Sequence, residues 1–136
     1  MPSSLRWLAA LLALSVAAAV AGGAVLYVQA RARTQTMAEA ISGGHVDAGQ
    51  AAIARYGCGS CHEIPGIAGA TGKAGPALAG MATRTAIAGV LVNDPPHLIA
   101  WLRRPQAILP GNGMPDQGVT ESDARDMAAY LYTLKR

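Results

Sequence analysis

The apolar positions of this chain follow two different patterns. From Trp7 to Val28, WLAALLALSVAAAVAGGAVLYV, 22 residues pass without a charged side chain. A helix of that length spans roughly 33 Å, the hydrocarbon thickness of a bilayer. Trp7 and Tyr27 stand at its ends, where amphipathic rings favour the headgroup region. The competing reading is a cleaved signal peptide, with Ala17, Ala19 and Ala21 as small residues acceptable to a signal peptidase. The apolar core of a signal peptide runs about 7–15 residues, so length favours a retained anchor. Arg6 on one side is matched by Arg31 and Arg33 on the other, and flanking charge therefore gives no orientation. Ala18 with Gly22 and Ala19 with Gly23 repeat a spacing that lets a second helix approach closely, although so Ala-rich a segment also produces it by chance.

Beyond this run the pattern changes to short amphipathic stretches. QARARTQTMAEAISGGH, residues 29–45, has no sustained apolar period and reads as a tether ending near His45. The predicted division is an anchor over 1–30, a linker over 31–45 and a folded domain over 46–136. In DAGQAAIARYG, Asp47 stands where it can cap a helix, with Gln50 three residues on. Ala51, Ala52, Ile53 and Tyr56 form its apolar face, and Gly57 ends it. A second helix is expected from Pro96 to Arg103, capped by Asn93 or Asp94 and stopped by Pro105, with Leu98, Ile99, Trp101 and Leu102 to bury. A last one follows Thr120, where Met127, Tyr130, Leu131 and Leu134 fall at i, i+3, i+4 and i+7, a single helical stripe. Strand signals are nearly absent, so the domain is predicted to be all-α.

Composition adds one constraint. About a hundred residues outside the anchor bury only a modest share of their surface, and such a domain needs a staple. Phe is absent, so the aromatic volume that fills a small core is scarce. A large flat prosthetic group would supply it. The net charge of +3 does not point to an anionic partner, because from Thr34 onward eight basic residues face eight acidic ones. No basic stripe is interleaved with aromatics, and nucleic acid binding is not supported. Arg103 and Arg104 make at most a local positive patch.

The chemistry concentrates in RYGCGSCHEIPG, residues 55–66, which holds both cysteines. A disulfide between Cys58 and Cys61 would close a loop too short to stabilise much. A structural zinc site needs four ligands, and there is no second Cys pair or spaced His pair. A thioredoxin-like dithiol requires strands alternating with helices around it. Cys-x-x-Cys-His as the attachment site of a c-type haem accounts for all three residues: each thiol joins one vinyl group, and the His that follows binds iron beneath the ring.

YGCGSCHEIPG, GPALAG, LIAWL and GMPDQGVTESDARDMAAYLYTL, in this order, resemble a class I cytochrome c, the small all-helical monohaem fold. The resemblance covers residues 47–134 and is strongest to membrane-anchored or subunit-borne domains that deliver electrons to haem-copper oxidases. It implies one haem c held covalently by Cys58 and Cys61, with His62 as proximal ligand and first and last helices that cross. It also implies a carbonyl at Pro76 that accepts from the other His62 nitrogen, orienting the ring; the bland alternative is a Gly75-Pro76 turn. Leu78 and Ile87 become pocket residues. Arg84 stands near a haem propionate or is simply exposed, and Trp101 stands beside a propionate or is an ordinary core residue.

For the sixth ligand the candidates are Met81, Met114, Met127 and His97. Met127 lies on the last helix's apolar stripe and His97 opens a helix, while Met81 sits in a short irregular stretch. Met114 has the best setting, a Pro- and Gly-rich loop that can aim a side chain and that Pro115 stiffens. The family's ligand Met also stands before Pro. His62 with Met114 raises the potential relative to bis-imidazole ligation. With both axial positions filled no vacancy remains for substrate, which argues against an enzyme. The expected function is one-electron transfer in a respiratory chain, from a quinol-oxidising complex or other donor to a haem-copper oxidase or other acceptor. Because haem c is attached outside the bacterial cytoplasmic membrane, a single pass with the haem domain on the periplasmic side follows. The alternatives are a fixed subunit of a respiratory complex, or a haem sensor or peroxidase with a labile distal ligand.

Overall fold

The computed structural model describes residues 3–135. The chain divides into two compact units, residues 1–34 and 35–136. Helix α1 (Ser3–Ser42) provides the described part of the first unit. Over residues 5–28 its large apolar side chains are exposed: Trp7, Leu12 and Leu26 by 71%, 68% and 68%. Exposed apolar surface of this length requires another apolar medium. Among the described residues this is the one helix long and apolar enough to cross a membrane.

The segment expected to be a tether is helical through Ser42. Residues 29–42 contain neither Gly nor Pro, and Ala, Arg, Gln, Met and Glu favour helix even where the apolar period is weak. The last two turns belong to the second unit, where Ala38 and Ser42 are buried. Ser42 Oγ donates to the Ala38 carbonyl at 2.8 Å and accepts from the Gly44 N–H at 3.2 Å, which closes the helix end.

Helix α2 (Val46–Arg55) begins differently from expectation. Its cap is His45, and Asp47 lies inside the first turn while the Gln50 amide donates to the Gly66 carbonyl at 2.8 Å. The free N–H groups go to carboxylates from elsewhere: Val46 N–H to Glu39 at 2.9 Å and His45 N–H to Asp126 at 2.7 Å. Carboxylates from the end of α1 and from the last helix thus replace the local capping box. Its buried face is Val46, Gly49, Ala52 and Ile53, and Ala51 points outward.

A short hairpin follows, β1 (Ala86–Ile87) and β2 (Leu91–Val92), antiparallel with Ile87 opposite Leu91. The chain reverses through Ala88 and Gly89, at φ of 51° and 73°, with Val90 N–H bonded to the Ile87 carbonyl at 3.1 Å. The register leaves three residues, Ala88–Val90, in the loop, and positive φ at the first two of them turns the chain back on itself. Helix α3 (Pro95–Arg103) carries Pro in its first turn, and the Asp94 side chain accepts from His97 N–H at 2.9 Å. Pro105 ends α3 and opens α4 (Pro105–Ile108). Helix α5 (Glu121–Thr133) starts where Thr120 Oγ1 accepts from Asp123 N–H at 3.1 Å.

The core of the second unit is α5 packed against α2 and α3. Ala124, Met127, Ala128 and Ala129 are fully buried, and Tyr130, Leu131 and Leu134 complete the stripe. Helices α2 and α5 cross at Gly49, where a Cβ would fall on the Asp126 carbonyl group and within 3.0 Å of Met127 N. Backbone approach this close fixes the crossing, Tyr56 Oη to Asp123 at 2.8 Å ties the end of α2 to α5, and Tyr130 Oη to the Pro65 carbonyl at 2.6 Å ties α5 to the segment after the cysteines.

Candidate functional site

The cysteine motif follows α2 immediately. Cys58–Ser60 form a single 3-10 turn, and the N–H groups of Cys61 and His62 both reach the Cys58 carbonyl, at 3.2 and 3.0 Å. The two thiols and the imidazole therefore sit on one tight loop. Both cysteines are free and half-buried. Burial pushes the Cys58 thiol above its ordinary value; its backbone hydrogen bond opposes this in part and the neighbouring Cys61 adds to it.

Residues 72–78 run beside this loop, stitched to it by Gly72 N–H to Gly59 O at 3.0 Å, Gly75 N–H to Cys61 O at 2.8 Å and Leu78 N–H to Glu63 O at 2.8 Å. The alignment brings the Pro76 carbonyl to 2.7 Å from His62 Nδ1. A carbonyl only accepts, so Nδ1 is the donor and the neutral ring keeps its lone pair on Nε2. Gly75 makes the approach possible. A Cβ there would stand 2.6 Å from Nδ1 and 2.9 Å from Nε2.

In front of His62 lies a cavity of about 370 Å³. Cys58, His62, Pro76, Leu78, Arg84, Ile87, Trp101 and Met114 all line it, drawn from the motif loop, the 76–84 segment, β1, α3 and the loop before α5. Cys61 is not part of that lining. Trp101 and Ile87 are buried, while Met114, His62 and Arg84 are half-buried. The Arg84 guanidinium donates to the carbonyls of Ala77 and Ala79, which flank Leu78. It braces that segment while lining the cavity.

The other candidate iron ligands separate by position. Met127 is fully buried in α5 and lies outside the lining. His97 is exposed and pairs with Asp94 at 2.8 Å. Met81, 4% exposed, lines the cavity too, in the 3-10 turn Met81–Thr83. The sequence had not marked Asn112, Leu109, Leu98, Ile53 or Leu131 as lining residues; the last three were visible only as generic apolar positions. Asn112 had a weak signal, a polar residue between two glycines ahead of Met114.

The walls are apolar apart from His62, Arg84 and Asn112, and an imidazole nitrogen, thioether sulfur and a thiol converge on them. Among the described residues no group of three or more His, Cys, Asp and Glu could hold a bare metal ion. The donor set suits a flat apolar group that brings ligands of its own. A haem fits the residues present.

The sequence model for cytochrome c matches residues 46–135. The chain belongs to the cytochrome c family. It is 40% identical over 79 residues to a cytochrome c oxidase subunit 2 of Alkalihalophilus pseudofirmus, covering 57% of this chain and 22% of that protein. It is 33% identical over 88 residues to a cytochrome c oxidase subunit 2 of Bacillus sp. strain PS3, covering 62% of this chain and 25% of that protein. The chain thus spans about a quarter of the length of these relatives. No solved structure matches significantly. The expectations of a mainly helical cytochrome c domain and of an N-terminal helix able to span a membrane hold; a cytochrome c domain implies electron transfer and a haem.

Proposed function

We propose that this cytochrome c is a membrane-tethered one-electron carrier of a respiratory chain, with one haem c bound covalently through Cys58 and Cys61. The observation that carries the reading is the meeting of His62, Met114 and their apolar neighbours on one cavity, with His62 Nδ1 spent on Pro76 and Nε2 free to bind. The haem supplies a reversible Fe(II)/Fe(III) couple.

The chain does the rest. Cys58 and Cys61 would hold the haem as thioethers, which thiol addition to its two vinyl groups would supply without an oxidant. Pro76 fixes the His62 ring. Met114 offers a soft thioether, which favours the reduced metal and a high potential. Leu78, Ile87 and Trp101 line the cavity with apolar surface that would exclude water, and Arg84 would supply positive charge for the haem carboxylates. Were His62 and Met114 both to hold the iron, no position would be left for a substrate, which favours a carrier over an enzyme.

The relatives' description as oxidase subunit 2 supports a haem-copper oxidase as acceptor. It equally favours a fixed subunit over a mobile shuttle, and the exposed apolar α1 suits either. The haem domain belongs on the outer face of a bacterial cytoplasmic membrane, where haem c is attached. The test is Met114→Ala: the weak red absorption band of Met bound to Fe(III) disappears, and the reduced protein gains rapid carbon monoxide binding. A band unchanged in the variant overturns Met114 as ligand, and rapid, complete carbon monoxide binding by the unmodified protein overturns the carrier in favour of a sensor or peroxidase.

A further inference from the structure

We infer that the side-chain amides of Gln106 and Asn112 form a clamp that governs how firmly Met114 is held on the iron, an inference that rests on Met114 being the axial ligand. Met114 lies in LPGNGMPDQG, residues 109–118, which has no helix or strand and contains two prolines and three glycines. Such a segment has many conformations of similar energy. The thioether makes no polar bond that could place it, so the sulfur goes where the backbone of residue 114 puts it.

Both backbone groups of residue 114 are held by side chains. Met114 N–H donates to Asn112 Oδ1 at 2.7 Å, and the Met114 carbonyl accepts from Gln106 Nε2 at 2.7 Å. The second hydrogen of that Nε2 goes to the Asn112 carbonyl at 2.8 Å, and Gln106 Oε1 accepts from Gly111 N–H at 3.0 Å. Asn112 Nδ2 in turn donates to the carbonyls of Pro105 and Leu109, at 3.0 and 2.7 Å. Gln106 N–H donates to the Asp116 carboxylate at 3.1 Å, beyond Pro115.

The orientation of both amides is fixed by these partners. Turning Gln106 over would set its oxygen against two carbonyls and its nitrogen against an N–H. The two amides therefore spend all four of their N–H hydrogens on carbonyls of the loop and of Pro105, and both residues are half-buried. Among the described residues, Gln106 is the α4 side chain that hydrogen-bonds residue 114 itself. Each side chain thus acts through Met114 as a positioning residue and touches no reacting atom.

An added ligand such as imidazole reaches the iron only while Met114 is off it. Its apparent affinity is the intrinsic affinity multiplied by the fraction of molecules in that open state. Loosening the clamp raises this fraction without altering the iron, whereas a role confined to folding lowers the melting temperature and leaves the affinity alone.

The experiment titrates imidazole into the oxidised, full-length holoprotein and follows the red band, with melting measured separately. Gln106→Leu keeps the bulk and removes all three bonds of the side chain. Gln106→Glu keeps the shape and the acceptor for Gly111 but turns an oxygen toward the carbonyls of Asn112 and Met114. Asn112→Asp, which keeps the acceptor for Met114 N–H and loses both donors, serves if the Gln106 variants do not fold. Imidazole affinity rises roughly tenfold in the Gln106 variants, with Glu at least as open as Leu, since a few lost hydrogen bonds amount to that factor in an equilibrium. Met114→Ala marks the fully open limit. Affinities equal to the parent's in variants that melt lower overturn the clamp while leaving Met114 as ligand; a parent-like red band in Met114→Ala overturns the ligand assignment and the clamp with it.

Discussion

Replacing Gly75 by alanine places a methyl group where the His62 ring already is. The new Cβ would lie 2.6 Å from Nδ1 and 2.9 Å from Nε2, closer than real side-chain carbons come. Neither backbone can yield easily, since His62 N–H is bonded to Cys58 O at 3.0 Å and Gly75 N–H to Cys61 O at 2.8 Å. The ring must turn, and the 2.7 Å bond from Nδ1 to Pro76 is lost. That bond contributes about 1 kcal/mol, and forcing a methyl into a packed site costs about 1–3 kcal/mol, together about 2–4 kcal/mol. For a domain of about a hundred residues the melting temperature falls by at least about 8 °C. A second consequence is electronic. The Nδ1 bond strengthens donation from the ring and favours Fe(III), so losing about 1 kcal/mol of that preference raises the potential by roughly 40 mV, at about 59 mV per tenfold for one electron. Thermal unfolding by circular dichroism and an equilibrium redox titration read the two effects. A variant that melts with the parent and keeps its potential refutes the argument that Gly75 is there to admit the ring.

Gly49→Ala tests the helix crossing, because alanine stabilises an isolated helix by up to about 1 kcal/mol yet here drives a methyl into the Asp126 carbonyl; net loss of stability is expected in chemical denaturation, and a gain contradicts the close approach. Tyr132 gives a pH signature. Burial, with the charge of Asp94 adding to it, pushes its phenol from its ordinary value near 10 up to about 12, and its Oη donates to Asn93 at 3.1 Å. A raised folded value means stability is intact below the unfolded value and is lost as pH climbs through the folded one, so unfolding should ease between about pH 10 and 12. Tyr132→Phe flattens that decline, and an unchanged alkaline limb in the variant assigns it to other groups.

The parts of the fold that could be read beforehand are those with a local physical signature. The α5 stripe has the helical period over enough residues to be unambiguous, and α3 is bounded by Asp94, Pro95 and Pro105, which act through their own backbones. Cys58, Cys61 and His62 are legible because their spacing is itself the chemistry. What was not legible depends on partners distant in sequence. The start of α2 is set by Glu39 and by Asp126, whose carboxylate bonds a backbone N–H 81 residues away. The helical stretch through Ser42 lacks an apolar period and rests on propensity and on two buried small residues, Ala38 and Ser42. Strands of two residues, as in β1 and β2, are too short to show alternation. Gly75 and Gln106 look like an ordinary turn glycine and an ordinary helix glutamine until the groups they meet are in place.

The central claim is that the two cysteines carry a haem as thioethers. The most direct measurement is the intact mass of the full-length protein, purified from a host able to attach haem c and then unfolded in acid and organic solvent, beside Cys58→Ala and Cys61→Ala. The account predicts a polypeptide that keeps the mass and absorbance of one haem after unfolding, with two thioether bonds in the parent and one in each variant. A parent that loses all its haem on unfolding, or that shows only two free thiols or a Cys58–Cys61 disulfide, contradicts it.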